Sequence, residues 1–268
     1  MLLKGIGRHA LLAAGWIVGL FLLAPTLIVF PIGLNDSRFV ALPKGFANLS
    51  LQHVVTVLTD PVWLTGFRDS LTVALATATL STVIGMAYAI GIWRVKSKWN
   101  AVLSIVMVAP MIVPPIVSAV ALYKMWTTTG LYDTWIGVVL AHTIVAAPFA
   151  ALTVSSSLAL LDPKLEQAAR SLGASRIRAI VDVILPNIKG GVGAGALFAF
   201  IVSWDELVLT LFVANRAVYT LPRKMWDGIK ESVDPSVAAV SGLLVLLTIV
   251  ILAISTILRS TDAARREY

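Results

Sequence analysis

The chain has 268 residues, 58% of them hydrophobic and only 13% charged, with a mean hydropathy of +0.90. A soluble chain of this length carries about 25% charged residues, so most of this one needs no wetted surface and a pair of water-soluble domains is excluded. The net charge of +7 does not point to nucleic acid, because the basic residues flank apolar stretches instead of gathering on one surface, and with 0 cysteines no redox compartment follows.

Taken in chain order, the apolar stretches predict six membrane-spanning helices at residues 10–34, 68–94, 99–123, 134–161, 190–214 and 236–258. Each reaches the roughly 20 residues needed to cross about 30 Å of hydrocarbon. Strand-like alternation is absent, and in lipid only helices or closed barrels satisfy the backbone. The expected fold is therefore all-α, a single polytopic domain. The first stretch follows Lys4 and Arg8 but is too long for a signal-peptide core and shows no small-residue cleavage site, so a retained helix is expected.

An external segment, 35–66, is broken by Pro43, Gly45 and Pro61 and should hold short helices and turns. Asp60-Pro61 reads as a helix start, with the carboxylate as cap and proline in the first turn. The third span carries Pro110, Pro114 and Pro115, which predict a kink. With the N-terminus inside, 13 of the 21 Lys and Arg residues face the cytoplasm and 8 face outward. Arg94, Lys96 and Lys98 lie in one tight inside turn. Both termini are then cytoplasmic, with a second external segment at 215–235 and a short tail at 259–268.

Residues 162–187 form an inside loop of unusual design. Asp162 and Pro163 start a helix, Glu166 sits where the helix dipole favours a carboxylate, and Gly173 suits a left-handed stop. A second run, 175–185, puts Ile177, Ile180, Val181 and Ile184 on one face and is expected to end at Pro186. Leu172, Gly173 and Ala174 are left at the corner, and an apolar corner held in cytoplasm argues for a docking surface.

Gln167-Ala168-Ala169, then three residues and Gly173, then nine residues, Val183, and Leu185-Pro186, resemble the EAA motif of permease subunits of ABC importers. Gln167 stands where the family has Glu, with Glu166 one position earlier, and Val183 replaces the usual Ile. The later stretches Ser203-Trp204-Asp205-Glu206-Leu207, Thr220-Leu221-Pro222 and Met225-Trp226-Asp227-Gly228-Ile229 are similar to permeases of the polyamine and opine branch. The resemblance implies a type I importer permease in the bacterial cytoplasmic (inner) membrane. It also implies four partners: a second permease, two ATPase subunits and an external solute-binding protein. The coupling residues it implies are Glu166, Gln167, Ala168, Ala169, Leu172, Gly173, Ala174, Leu185 and Pro186.

The chain has no G-x-x-x-x-G-K-[ST] loop, so it is read as non-catalytic, with ATP and Mg used by a partner chain. The cluster Gly190-Gly191-Val192-Gly193-Ala194-Gly195 reads as close helix packing. Asp205 and Glu206, ~22 Å along the fifth span at 1.5 Å per residue, are costly in lipid and mark a pathway or a pair. If the helix is continuous, Asp205 extends the stripe Gly191, Gly195, Phe198, Val202 and is a buried partner or gate. Glu206 extends the stripe Ala196, Ala199, Ser203, Thr210 and lines the path; the alternative for both carboxylates is a structural ion pair, with Lys124 a conceivable mate. Ser203, Trp204, Asp205, Glu206 and Thr210 are thus the expected pathway group. His142 reads as a hydrogen-bonded packing residue, and Trp63, Trp99, Trp126 and Trp135 as interface belts. A secondary transporter or channel would also use the two carboxylates, but it would leave the EAA-like loop without a purpose.

Overall fold

A computed structural model describes residues 6–95 and 97–266. Lys4 and Lys96, both counted to the inside, lie outside the described residues, as do the two chain ends. Every regular element among the described residues is a helix, apart from an isolated bridge between Asn35 and Leu49. The helices are α1 (Ile6–Gly33), α2 (Gln52–Thr59), α3 (Pro61–Arg94), α4 (Trp99–Ile112), α5 (Pro115–Thr129) and α6 (Trp135–Ala159). They continue with α7 (Lys164–Ser171), α8 (Arg176–Ala179), α9 (Leu185–Trp204), α10 (Val208–Val213), α11 (Leu221–Asp227) and α12 (Ser236–Arg266). Five helical stretches are long and apolar enough to cross a membrane, and there are six if α4 and α5 form one broken span.

The chain divides into two compact units, one built from its ends (up to Leu64 and from Met225) and one from Thr65–Lys224. In the first unit α1 lies along α12. Gly33 permits this approach, since a Cβ there would sit 2.7 Å from the Ala239 backbone. The segment between α1 and α2 folds on itself through Ser50 N–H to Leu34 O (2.7 Å) and the His53 ring to Ser37 O (2.9 Å). Val62 N–H donates to the Asp60 carboxylate at 2.7 Å, the cap expected at the start of α3. α12 continues as helix through Arg266, so residues 259–266, expected as a short tail, are helical.

In the second unit α6 is central, with small residues letting α3 and α9 come close. A Cβ on Gly85 of α3 would lie 2.6 Å from Ala151 N, and one on Gly195 of α9 would lie 3.2 Å from Ala150 Cα. Gly191 meets the Ser157 side chain. In lipid such packing supplies the attraction that water exclusion supplies elsewhere.

Three expectations about this unit are corrected. The third span is not one kinked helix: α4 and α5 meet at 104°. Val113 before Pro114 is pushed to an extended backbone, and neither Pro114 nor Pro115 can donate a helical bond. The run from residue 175 does not end at Pro186 either. A π turn at Ile180–Ile184 widens the helix there, so the proline ring is tolerated near the start of α9 and the helix runs unbroken from Arg176 to Trp204. The fifth span, expected to be continuous over 190–214, instead breaks at Asp205–Leu207.

Candidate functional site

The loop after α6 begins as expected. The Asp162 carboxylate accepts from Lys164 N–H at 2.9 Å, α7 follows for two turns, and Gly173 stops it with φ +88. Ser175 then caps α8 through Arg178 N–H. Local bonds therefore start, stop and restart the two helices that make the corner. Leu172 at its tip is 90% exposed, Ile177 beside it 75%, and Val181 also faces out, whereas Ile184 is fully buried against Val154 and Leu158. Beneath the tip Ala169, Leu172, Gly173 and Ala174 border a hollow of about 270 Å³. An apolar knob beside a hollow is a shape for receiving a partner, not for packing on its own chain.

The other residues of that loop separate. Gln167 and Ala168 are exposed and Ala169 half-buried, so all three lie on the outward part of α7. Leu185 and Pro186 lie inside the long helix that runs from Arg176 to Trp204, Leu185 half-buried and Pro186 exposed, and not in the corner formed by Leu172, Gly173 and Ala174. Glu166 is not held out for a partner: its carboxylate is bonded by the Arg94 guanidinium at the end of α3. Sequence reading missed Arg94 because the two residues are 72 positions apart.

The expected pathway group also splits. α9 ends at Trp204, and Glu206 turns back to cap α10, its carboxylate accepting from Leu209 N–H at 2.9 Å. Once the helix breaks, the stripes drawn through it no longer apply. Asp205 is exposed, not a buried partner, and Glu206 is half-buried. Neither is ion-paired with Lys124 among the described residues. Ser203 and Thr210 are not open to a path: they clasp the fully buried His142, at 2.9 Å to Nδ1 and 3.0 Å to Nε2. His142 thus bridges both sides of the break, and two hydroxyls satisfy both ring nitrogens of a group that would be costly alone. Trp204 stacks on Phe200 with ring centroids 5.7 Å apart. Of the expected belt residues, Trp99 and Trp135 are exposed, but Trp63 and Trp126 are buried, the latter with its indole N–H on Gly137 O.

The outer end of α6 carries a device that sequence reading did not find. Asp133, at φ +54, turns its carboxylate onto the N–H groups of Asn215, Arg216 and Ala217 at 2.7–2.9 Å. Its own N–H donates to Val213 O. Asp69 and Ser70 of α3 hold the same segment through Tyr219 N–H (3.0 Å) and Leu221 N–H (2.8 Å). Desolvation alone would raise the Asp133 pKa, but the N–H groups of Ala217, Asn215 and Arg216 and the charge of Arg223 outweigh it and hold the carboxyl below its ordinary value.

Several apolar helices long enough to cross a membrane, with an exposed two-helix corner between two of them, define a polytopic membrane protein. The family described as binding-protein-dependent transport system inner membrane component matches residues 81–261, and the chain belongs to it. It is a permease subunit of an ABC importer. The chain is similar to the spermidine/putrescine transport system permease protein PotC of Escherichia coli (strain K12), at 29% identity covering 94% of this chain and 95% of that protein. It is also similar to a probable molybdenum ABC transporter permease protein of Haloferax volcanii, at 33% identity covering 70% and 73%. In fold it resembles the bacterial alginate ABC transporter crystallised in complex with an alginate pentasaccharide-bound periplasmic protein. The TM-score is 0.67 at 15% identity, covering 92% of this chain and 94% of that one.

Proposed function

We propose that the corner at Leu172, Gly173 and Ala174 docks into a separate ATPase, whose ATP and Mg chemistry drives solute movement through this chain and a second permease. The single observation that carries this is the 90% exposure of Leu172 at the tip of a corner closed by a left-handed glycine. Two copies of the ATPase and an external solute-binding protein complete the assembly. The alginate transporter, crystallised with a periplasmic protein, supports the last of these by analogy.

The solute is read as a small charged nitrogenous compound such as a polyamine or opine, supported by the likeness to PotC over nearly the whole chain. The likeness to a permease named for molybdenum argues that fold alone does not select the solute. Glu206 is the carboxylate assigned to the path, because a cation crossing a region of low dielectric is helped by a fixed negative charge. Uptake of labelled spermidine, with putrescine, an opine and molybdate as competitors, tests this part; competition by molybdate alone contradicts it.

The absence of native cysteine gives a direct test of docking. Leu172→Cys in the assembled transporter carries one thiol in this chain. A cross-linker with one thiol-reactive and one photoreactive end, attached there, should join it to the ATPase and to no other subunit. A cross-link to the second permease, or none at all, contradicts the proposal.

A further inference from the structure

We infer that Arg94 is a positioning residue that makes α3 and the coupling helix α7 move as one body, an inference that rests on the docking role of α7. α7 has only eight residues, too few to hold its own shape or direction, since isolated helices under about 12–15 residues are marginal. Its orientation must come from what it touches. Arg94 is the last residue of α3 and Glu166 stands in the first turn of α7, so their bond ties the inner end of a 34-residue spanning helix to the docking element. Their side chains are only 18% and 12% exposed. The Arg68–Asp69 pair, by contrast, joins chain neighbours and leaves the arginine 73% exposed.

The surroundings make the link directional. Arg94, Arg170 and Arg176 line one cavity of about 890 Å³, and Glu166 is the only carboxylate among its lining residues. Glu166 is ion-paired with Arg94, while Arg170 and Arg176, both exposed, add positive charge to the same cavity. Force applied to α7 by a partner is passed to α3 through this pair. Loss of Glu166 should be worse than loss of Arg94, because it removes the one carboxylate of a cavity lined by three arginines.

The test uses the complete transporter, with its ATPase and binding protein, reconstituted in liposomes. Arg94→Gln, Glu166→Gln and the exchange Arg94→Glu with Glu166→Arg are compared with wild type and with Gly173→Asp. The readout is ATP hydrolysed per solute imported, alongside the amount of ATPase bound. Both single variants should keep their ATPase and raise the ratio by roughly tenfold, within the usual range of coupling energies, with Glu166→Gln the more severe. The exchange should recover most of the wild-type ratio. Single variants that keep the wild-type ratio while Gly173→Asp is uncoupled overturn the inference and leave docking intact. An exchange no better than the single variants, or failing even to assemble, also overturns it. If Gly173→Asp too keeps the wild-type ratio, the docking reading falls and this inference with it.

Discussion

The central helix α6 is preceded by one aspartate and followed by another, and the two are used in opposite ways. At the outer end Asp133 reaches 82 to 84 residues along the chain and gathers three backbone N–H groups. At the inner end Asp162 caps the N–H two residues on and reaches no further. The outer segment is thereby stitched to the bundle, with Asp69 and Ser70 adding bonds from α3. The inner corner is shaped locally, and its one long side-chain tether among those described is Arg94–Glu166. A segment fixed by many long-range bonds resists movement, whereas one fixed by local bonds and a single strut can be seated and pushed as a piece.

The interior should be the most sensitive to change. His142→Ala removes the bridge across the α9–α10 break, takes from the Ser203 and Thr210 hydroxyls their bond to the ring (Thr210 keeps Glu206 O at 3.2 Å) and opens a cavity. The expected loss is about 2–4 kcal/mol, seen as a lower Tm of the detergent-solubilised chain. Wild-type stability in that variant would mean the break is held by something other than the histidine.

Next is the outer clamp, where Asp133→Ala should cost about 1–2 kcal/mol, reduced from the usual charged-bond value because Asp133 is only half-buried. The sign of its pH dependence follows from a folded-state pKa below the ordinary one. Its contribution is complete above the ordinary carboxylate pKa of about 3.9 and is lost as pH falls through the lower folded value. Melting curves of wild type and Asp133→Asn should therefore differ at neutral pH and converge below pH ~3.9. A gap that widens in acid contradicts the clamp.

The paired carboxylates should show the smallest effects on stability. Glu206→Gln keeps an oxygen for Leu209 N–H, so folding should hold while uptake of a cationic solute falls; full uptake removes Glu206 from the path. Asp205→Asn, exposed as Asp205 is, should shift stability by under about 0.5 kcal/mol. A large loss there would return Asp205 to a buried role.

What could be read from the sequence was local or periodic. The apolar spans, the Asp60 and Asp162 caps, the stop at Gly173 and the packing of Gly191 and Gly195 depend on neighbours within a turn or two. The break at residues 205–207 was hidden because Trp204-Asp205-Glu206-Leu207 contains no Gly or Pro; a side-chain cap from Glu206 makes it. Ser203 and Thr210 lie seven residues apart, two helical turns, and so shared a face on paper, but only the packed bundle puts His142 between them. The Asp133 and Arg94 contacts depend on the path of the chain over more than 70 residues, which no local rule encodes. Trp63 and Trp126 were misplaced because an aromatic near a span end fits a lipid belt and a core equally well until its indole partner is known.

The contrast between the stitched outer end and the free inner corner is tested most directly at Gly173. Nothing lies within 4 Å of where its Cβ would be, so the chain itself has room for a side chain. The harm must then come from the left-handed backbone and from burying a charge at the partner surface. ATP hydrolysis and uptake by reconstituted Gly173→Asp, alongside Gly173→Asn, which tolerates a left-handed backbone, decide the matter. Normal insertion and near-normal coupling are expected for Gly173→Asn, with loss of ATPase binding or of uptake per ATP for Gly173→Asp. Wild-type uptake and wild-type ATPase co-purification in Gly173→Asp would contradict docking at this corner.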